Sequence, residues 1–207
     1  QVDTIKDIGG NTIISSNGSG TFTSNLPASG ATLTGSTNNQ VVTVTGANAI
    51  TGEANLIFDG TTLTKPLQPG FSATKSTSAQ AVNAAYVSVN FNNEIWDNNA
   101  DWNGSTTFTA PVTGKYMFTG AMRIDSILAQ GGSVFGRINT SNRPYVFGNI
   151  TDADDVFNAT TAQYQFQGAV VADMDASDTA TLDFFSNFAT TIAADGERVW
   201  FQGYLLG

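Results

Sequence analysis

The C-terminal part of the chain alternates hydrophobic and polar residues with a period of two. Val87, Val89 and Phe91, for example, are separated by Ser88 and Asn90. Because successive side chains of a strand point to opposite faces, this alternation predicts strands that bury one face. The segments end at clusters of glycine, asparagine and aspartate, which are typical of turns, and no long stretch has the period of an amphipathic helix. The pattern therefore predicts an all-β fold, an antiparallel sandwich.

The first 64 residues show weaker strand signals and few residues that could form a core. Only two aromatic residues occur there, and 26 of the 64 are serine, threonine or asparagine. Asn55–Thr64 is typical of a hairpin about Asp59-Gly60, a pair favoured in type I′ turns. We therefore divide the chain into a stalk or attachment segment, residues 1–65, and a head, residues 66–207. The stalk is either a disordered linker or a segment that folds only when several chains wrap together, and the hairpin favours the second.

The charge balance excludes several classes of function. The chain has 8 lysines and arginines against 17 aspartates and glutamates, a formal net charge of −9, and no histidine or cysteine. A chain this acidic lacks the clustered cations that bind nucleic acid. Without histidine or cysteine, catalysis by imidazole or thiol, zinc bound through these residues, and disulfides are all excluded. No run approaches the ~18 apolar residues of a membrane span, so we expect no membrane insertion.

Five segments of the predicted head carry a resemblance to a known family. They are Phe71-Ser72-Ala73, Val89–Asn93, Phe108–Phe118, Ala172–Leu182 and Trp200–Leu206. In order and spacing they resemble the globular head of complement C1q, and Phe108–Phe118 is the most specific match. The resemblance implies a ten-strand jelly roll of the tumour-necrosis-factor type that assembles as a homotrimer. Ser177 is a departure from the family, which usually has glycine at this position.

A segment of the predicted stalk has a resemblance of its own. Thr45–Leu63 resembles segments that recur in bacteriophage tail-fibre and structural proteins, often just before a head domain. Together the two resemblances imply a trimeric viral tail fibre or spike on the virion. The stalk would attach to other tail proteins, and the head would bind a glycan or protein of the host cell surface. The alternatives are a secreted C1q-like recognition or signalling protein, whose usual Gly-X-Y stem is missing here, and a purely structural virion fibre or decoration protein.

Two clusters of aspartates are the candidates for acid–base or metal chemistry. They are Asp152, Asp154 and Asp155, and then Asp173, Asp175 and Asp178. Cleavage of a glycan needs two carboxylates flanking the bond, one of them with a raised pKa, whereas both clusters have the spacing of solvated turns. We therefore predict that the protein is not an enzyme and needs no cofactor. The resemblance leaves calcium open, because some C1q-like trimers hold this ion near their axis, and the second cluster supplies weak candidate ligands.

Candidate contacts with a receptor are aromatic and arginine residues in loops. Arg143 and Tyr145, with Asn142 beside them, lie in a segment without alternation, and such residue types dominate binding hot spots. The other interpretation is that Tyr145 caps the sandwich while Arg143 pairs with an acidic turn. Trp96 is a second candidate for receptor contact. Trp102 occupies a position where C1q-like heads have a packed aromatic, so we assign it to the core.

Overall fold

The computed structural model describes residues 4–16, 19, 22–24, 32–34, 37–47, 49–127, 132–156 and 162–207. The chain divides into two compact units, residues 1–65 and residues 66–207. We call them the N-terminal unit and the head, and describe each by itself.

The N-terminal unit contains two small sheets. Its strands are β1 (Thr4–Lys6), β2 (Thr12–Ser16), β3 (Phe22–Ser24), β4 (Thr32–Thr34), β5 (Gln40–Gly46), β6 (Ala49–Phe58) and β7 (Leu63–Thr64). The first three strands form an antiparallel sheet in chain order. In the second sheet β6 pairs with three strands, antiparallel with β5 and β7 and parallel with β4. The weak strand signals that precede the predicted hairpin thus correspond to strands of a sheet.

The predicted hairpin is present, but its turn differs from the one expected. Phe58 of β6 lies opposite Leu63 of β7, so the loop has four residues and is not a two-residue type I′ turn. The Asp59 carboxylate accepts the backbone N–H groups of Thr61 at 2.8 Å and Thr62 at 2.7 Å, and these bonds lower the pKa of this carboxyl. An aspartate that binds its own following backbone in this way favours the wider turn over the tight one.

The N-terminal unit has no buried core within its described part. Each residue there whose exposure is described is exposed or half-buried, and Val44 keeps 80% of its surface exposed. Ordering a strand costs backbone entropy, and burial of apolar surface is what normally offsets that cost. A single chain therefore gives these strands little of the burial that would hold them in place.

The described part of the head consists of strands and one short helix. Its elements are β8 (Gly70–Thr74), β9 (Gln80–Val82), β10 (Ala85–Ser88), β11 (Asn93–Asp97), β12 (Thr107–Thr109), β13 (Gly114–Ile127), β14 (Val134–Thr140), β15 (Pro144–Ile150), α1 (Ala153–Val156), β16 (Ala162–Met174), β17 (Thr179–Ser186), β18 (Thr190–Ile192) and β19 (Trp200–Leu205). The longest, β13 and β16, pair with each other along almost their whole length.

The strands form a five-stranded and a seven-stranded sheet. The smaller sheet has the order β10-β17-β14-β15, with β12 also paired to β17, and the larger has the order β11-β8-β19-β13, with β16 on β13. The chain crosses repeatedly between the two sheets, which is the jelly-roll arrangement, and the predicted all-β jelly roll is confirmed. The described part of the head holds twelve strands instead of ten, because β9 and β18 form an extra pair beside β13.

The core lies between the sheets and is rich in aromatic residues. Phe71 stacks on Trp102 with ring centroids 4.7 Å apart and on Phe108 at 5.1 Å. Burial of each such side chain stabilises the fold by about 1.5–3 kcal/mol. Trp102 is only 5% exposed, so its assignment to the core is confirmed. Gly203 is required here, because a Cβ at this position would lie 2.4 Å from the ring of Phe118.

Candidate recognition surfaces

Arg143 and Tyr145 lie at the connection between β14 and β15. The Thr140 backbone N–H donates to the Arg143 carbonyl oxygen at 3.1 Å, and the Arg143 N–H donates to Thr140 Oγ1 at 3.2 Å, which closes a tight turn. The exposed guanidinium of Arg143 lies 4.6 Å above the centroid of the Tyr145 ring. Tyr145 packs its other side against the core. The structure thus bears out the expectation that Tyr145 caps the sandwich.

The expected pairing of Arg143 with an acidic turn is not seen among the described residues. Three arginines of the chain, Arg123, Arg137 and Arg198, form ion pairs with aspartates at 2.6–3.4 Å. Arg143 forms none with any residue that the structure describes, and its charge is met only by the face of the Tyr145 ring. As far as the described residues go, the turn therefore presents a cation without a carboxylate partner on an acidic molecule.

The side chain of Asn142 is held by hydrogen bonds to a neighbouring turn. Its Nδ2 donates to Asp178 Oδ2 at 2.6 Å and to the Asp173 carbonyl oxygen at 3.1 Å. Ser141 Oγ donates to the other oxygen of Asp178 at 2.8 Å. These bonds, the serine hydroxyl first among them, lower the pKa of Asp178. Asn142 therefore fastens the receptor-candidate turn to the turn before β17 and is less available to a ligand than Arg143.

The weak calcium candidates do not form an ion site. Both carboxylate oxygens of Asp178 already accept hydrogen bonds, including one from the Asp175 backbone N–H at 2.8 Å. Within the described ranges no group of three or more acidic residues is placed to hold a metal ion. Ser177, the departure from the C1q-like pattern, has a φ of +78°. Glycine adopts this left-handed backbone conformation with less strain than serine does.

The other aspartate cluster falls largely outside what the structure describes. Asp152 is exposed and directly precedes α1. The side chains of Asp154 and Asp155 lie outside the described residues, so the interpretation of this cluster as a solvated turn stays a prediction.

Trp96 lies on the outer face of the seven-stranded sheet, at its edge. It pairs with Ser72 of β8, and its ring lies 3.1 Å from the position that a Cβ on Gly70 would take, beside Tyr204. Trp96 is 41% exposed and Tyr204 is 44% exposed. The structure therefore separates Trp96 from the turn of Arg143 and places it in a second surface.

This second surface, which we call the uncharged face, spans four neighbouring strands and the edge strand β11. Its residues, in register across the sheet, are Gly70, Ser72 and Thr74 of β8, Trp200, Gln202 and Tyr204 of β19, Met117, Thr119 and Ala121 of β13, Gln167, Ala169 and Val171 of β16, and Trp96 of β11. None of them carries a charge. The Oγ1 atom of Thr119 is buried and has no hydrogen-bond partner among the described residues. A cleft of about 370 Å³ opens between Trp200 and Ala169.

Charged side chains flank the uncharged face at its two ends. Lys115 lies opposite Asp173 in the register of β13 and β16 at one end. At the other end Arg123 forms ion pairs with Asp125 at 2.8 Å and Asp195 at 2.6 Å. The pattern could be foreseen only by placing four separate strands in register, because along each strand a few uncharged residues are ordinary.

The outer face of the five-stranded sheet has a different character. Arg137 donates to the largely buried carboxylate of Asp183 at 3.0–3.1 Å, and Ser88 and Thr181 occupy the second carboxylate oxygen. The Arg137 guanidinium also lies 4.0 Å above the ring of Tyr86. The polar groups of this face satisfy one another, which makes it a closed network.

Comparison with known proteins gives a likeness of fold. No protein-family model matches this sequence, and neither does any curated protein. The globular domain of zebrafish complement 1qA is 20% identical with a TM-score of 0.48, covering 68% of this chain and 98% of its own. Murine APRIL is 8% identical with a TM-score of 0.48, at 67% and 99% coverage. Eiger TNF from S. frugiperda is 10% identical with a TM-score of 0.46, at 68% and 93% coverage. Separately, the described part of the chain contains no helix long and apolar enough to cross a membrane.

Proposed function

We propose that the protein is a trimeric viral tail fibre or spike whose head binds the host cell surface and catalyses no reaction. The observation that carries the proposal is the uncharged face, which occupies the middle of one sheet in a chain of net charge −9. The cores of protein interfaces are depleted in charge and enriched in tryptophan, tyrosine and methionine. Trp96, Tyr204 and Met117 supply those residue types on this face.

The partner of the uncharged face is a second and a third copy of the head. An unrelated acidic or basic partner would bring charges to a surface that offers them no counter-charge, whereas the same chain brings its own uncharged residues. Most soluble oligomers are closed and symmetric, and the resemblance to C1q-like heads supports three copies. The trimer places Trp96 in the interface, so it is removed from the receptor candidates.

Receptor contact is assigned to the turn that carries Arg143 and Tyr145. Its support is the cation of Arg143, which no carboxylate of the described residues neutralises, and which lies over a half-buried ring packed against the core. Arginine and tyrosine on a rigid scaffold are typical hot-spot residues. A trimer presents this turn three times, so a weak contact gains by avidity, on the order of 10²–10⁴-fold over one copy. A glycan or a protein of the host surface fits this description.

The role in the virion rests on the N-terminal unit. Its short strands without a buried core, together with the resemblance of Thr45–Leu63 to tail-fibre segments, support a fibre stalk that attaches to other tail proteins. This assignment makes the location extracellular, on the virion surface.

The test has two parts, assembly and binding. Light scattering of the purified chain is expected to give three times its 21.7 kDa, and a stable single chain at micromolar concentration would refute the trimer. In a cell-binding assay on a susceptible host, Arg143→Ala is expected to bind about a hundredfold more weakly, which corresponds to ~1 kcal/mol at each of three contacts. Arg198→Ala removes the same charge from another exposed position and is the matched control. Equal binding of the two variants would eliminate the turn, and a wild-type protein that binds no host would favour a purely structural virion role.

A further inference from the structure

One face of the β5–β6 ladder in the N-terminal unit carries three apolar side chains, with the Gln40 side chain beside them over Gly52; we call it the apolar face. Val42 and Val44 lie opposite Gly52 and Ile50 in the antiparallel register. Because side chains alternate across a strand, all four lie on the same face. The opposite face is mixed, since Thr43 lies opposite Thr51 and Val41 lies opposite Glu53 there. The Thr43 hydroxyl donates to the Glu53 carboxylate on this face.

The described residues of the chain leave this apolar face largely exposed. Val44 is 80% exposed and Val42 is 47% exposed. Scattered exposed valines are ordinary, but here they belong to a unit with no buried residue in its described part. Small sheets need an apolar face packed against something to be stable. The face therefore requires a covering that the described part of one chain does not supply.

We propose that the face of Val42, Val44 and Ile50 packs against the same face in the other copies of the chain, forming the core of a shared stalk. The proposal rests on the trimer of heads proposed above. Lys65 and Pro66 are consecutive, so a trimeric head holds three N-terminal units on short tethers. Tethering of this kind raises the effective concentration of the N-terminal units around one another to about the millimolar range. At that concentration a small apolar face is sufficient to hold the units together.

The chemistry of the face selects this occupant. The three residues carry no polar side-chain atom, so a partner that set charged or hydrogen-bonding groups against them would leave those groups unpaired, which is costly. A second copy sets valine and isoleucine there instead. Apolar sheet faces pack about 10 Å apart with their side chains interdigitated. On this face the Gln40 side chain covers Gly52, so Val42, Val44 and Ile50 are the residues that remain for such packing.

The experiment uses the absence of cysteine from the chain. Val44→Cys places a single thiol on the apolar face, and Thr45→Cys places one on the opposite face as the matched control, since Thr45 is also exposed. The full-length variants are labelled with a maleimide, and their mass is measured by light scattering in the same buffer. We expect the Val44→Cys thiol to react at least about tenfold more slowly, the ratio given by a covered state favoured by ~1.4 kcal/mol. In denaturant the two thiols are expected to react equally.

Each outcome decides the matter. A trimer with a protected Val44→Cys thiol supports the proposal, and Val42→Cys is expected to repeat the protection. A trimer whose two thiols react equally overturns the stalk core but leaves the trimeric head, and points to another protein as the occupant. A single chain with both thiols reactive refutes the trimer of heads and this proposal with it. A single chain with the Val44→Cys thiol protected also overturns the proposal, because the chain would then cover its own face.

Discussion

A charge placed on the uncharged face is expected to dissociate the head. Val171→Arg introduces a guanidinium on β16, and Val146→Arg introduces the same group on β15. Each strand pairs with one neighbour only, both side chains lie on the outer face of their sheets, and their exposures in the single chain are 52% and 57%. The two variants differ in which sheet carries the charge. They also differ in their cross-strand partners, since position 171 lies opposite Met117 and position 146 lies opposite Arg137, so each variant is compared with its own unfolding curve.

The cost follows from what surrounds each position. An unpaired buried charge destabilises a structure by about 3–5 kcal/mol. Asp173 lies two residues along on the same face of the strand and can form an ion pair with the new arginine at position 171. We therefore expect the substitution to destabilise the trimer by about 1–2 kcal/mol per copy. Over three copies this amounts to about 3–6 kcal/mol, or ~10²–10⁴-fold in the trimer association constant. Ala169→Arg has only uncharged neighbours on this face and is expected to cost more than Val171→Arg.

The assay is light scattering across a dilution series, with chemical unfolding of each variant to show that its fold is intact. The expected order of trimer affinity is wild type equal to Val146→Arg, then Val171→Arg, then Ala169→Arg. If Val171→Arg and Ala169→Arg remain trimers with the affinity of Val146→Arg, the uncharged face is not the interface. If Val146→Arg alone dissociates, the five-stranded sheet is the interface instead.

Three further predictions concern the stability of the head. Burial, above all, raises the pKa of Asp101, whose Oδ2 has no partner among the described residues. The folded state thus holds the carboxyl proton of Asp101 more tightly than the unfolded state does, so stability is lost as the pH rises from 3.8 through the raised pKa. Asp101→Asn is expected to stabilise the head by about 1 kcal/mol at pH 7. In a series of thermal melts it is also expected to flatten the dependence of stability on pH. Ser177→Gly is expected to gain about 0.5–1 kcal/mol in denaturant unfolding, because it relieves a left-handed backbone; a loss would show that the φ of +78° is not strained. Asp183→Asn is expected to lose about 2–4 kcal/mol, because it leaves Arg137 facing an amide, whereas Asp175→Asn at an exposed turn is the control and should change little.

The architecture of the head was accessible from the sequence because its information is local. Alternation of the kind seen at Val89 and Phe91 reports which side of a strand is buried, and both residues are fully buried. The core position of Trp102 followed from the C1q-like pattern. The hairpin of the N-terminal unit was also predicted, but the turn was not, because the Asp59 carboxylate selects a four-residue loop through bonds to its own backbone.

The surfaces were less accessible because they depend on contacts between distant residues. Asn142 was a receptor candidate because of its position in a loop. Its side-chain amide, however, donates a hydrogen bond to Asp178. Trp96 has the sequence context of a free aromatic, yet its ring lies over Gly70, where a Cβ would make a tight contact at 3.1 Å. The spacing of the residues along the chain predicts neither contact.

The sign of the salt dependence separates an uncharged interface from one held by ion pairs. Three chains of net charge −9 repel one another on assembly, and salt screens this repulsion, since the Debye length falls from ~30 Å at about 0.01 M to ~8 Å at about 0.15 M. The uncharged face contains no ion pair that screening could weaken. Raising sodium chloride over this range is therefore expected to strengthen the trimer, measured as a lower dissociation midpoint in a dilution series. A trimer that weakens with salt would mean that residues such as Lys115 and Arg123, at the ends of the face, make the dominant contacts across it.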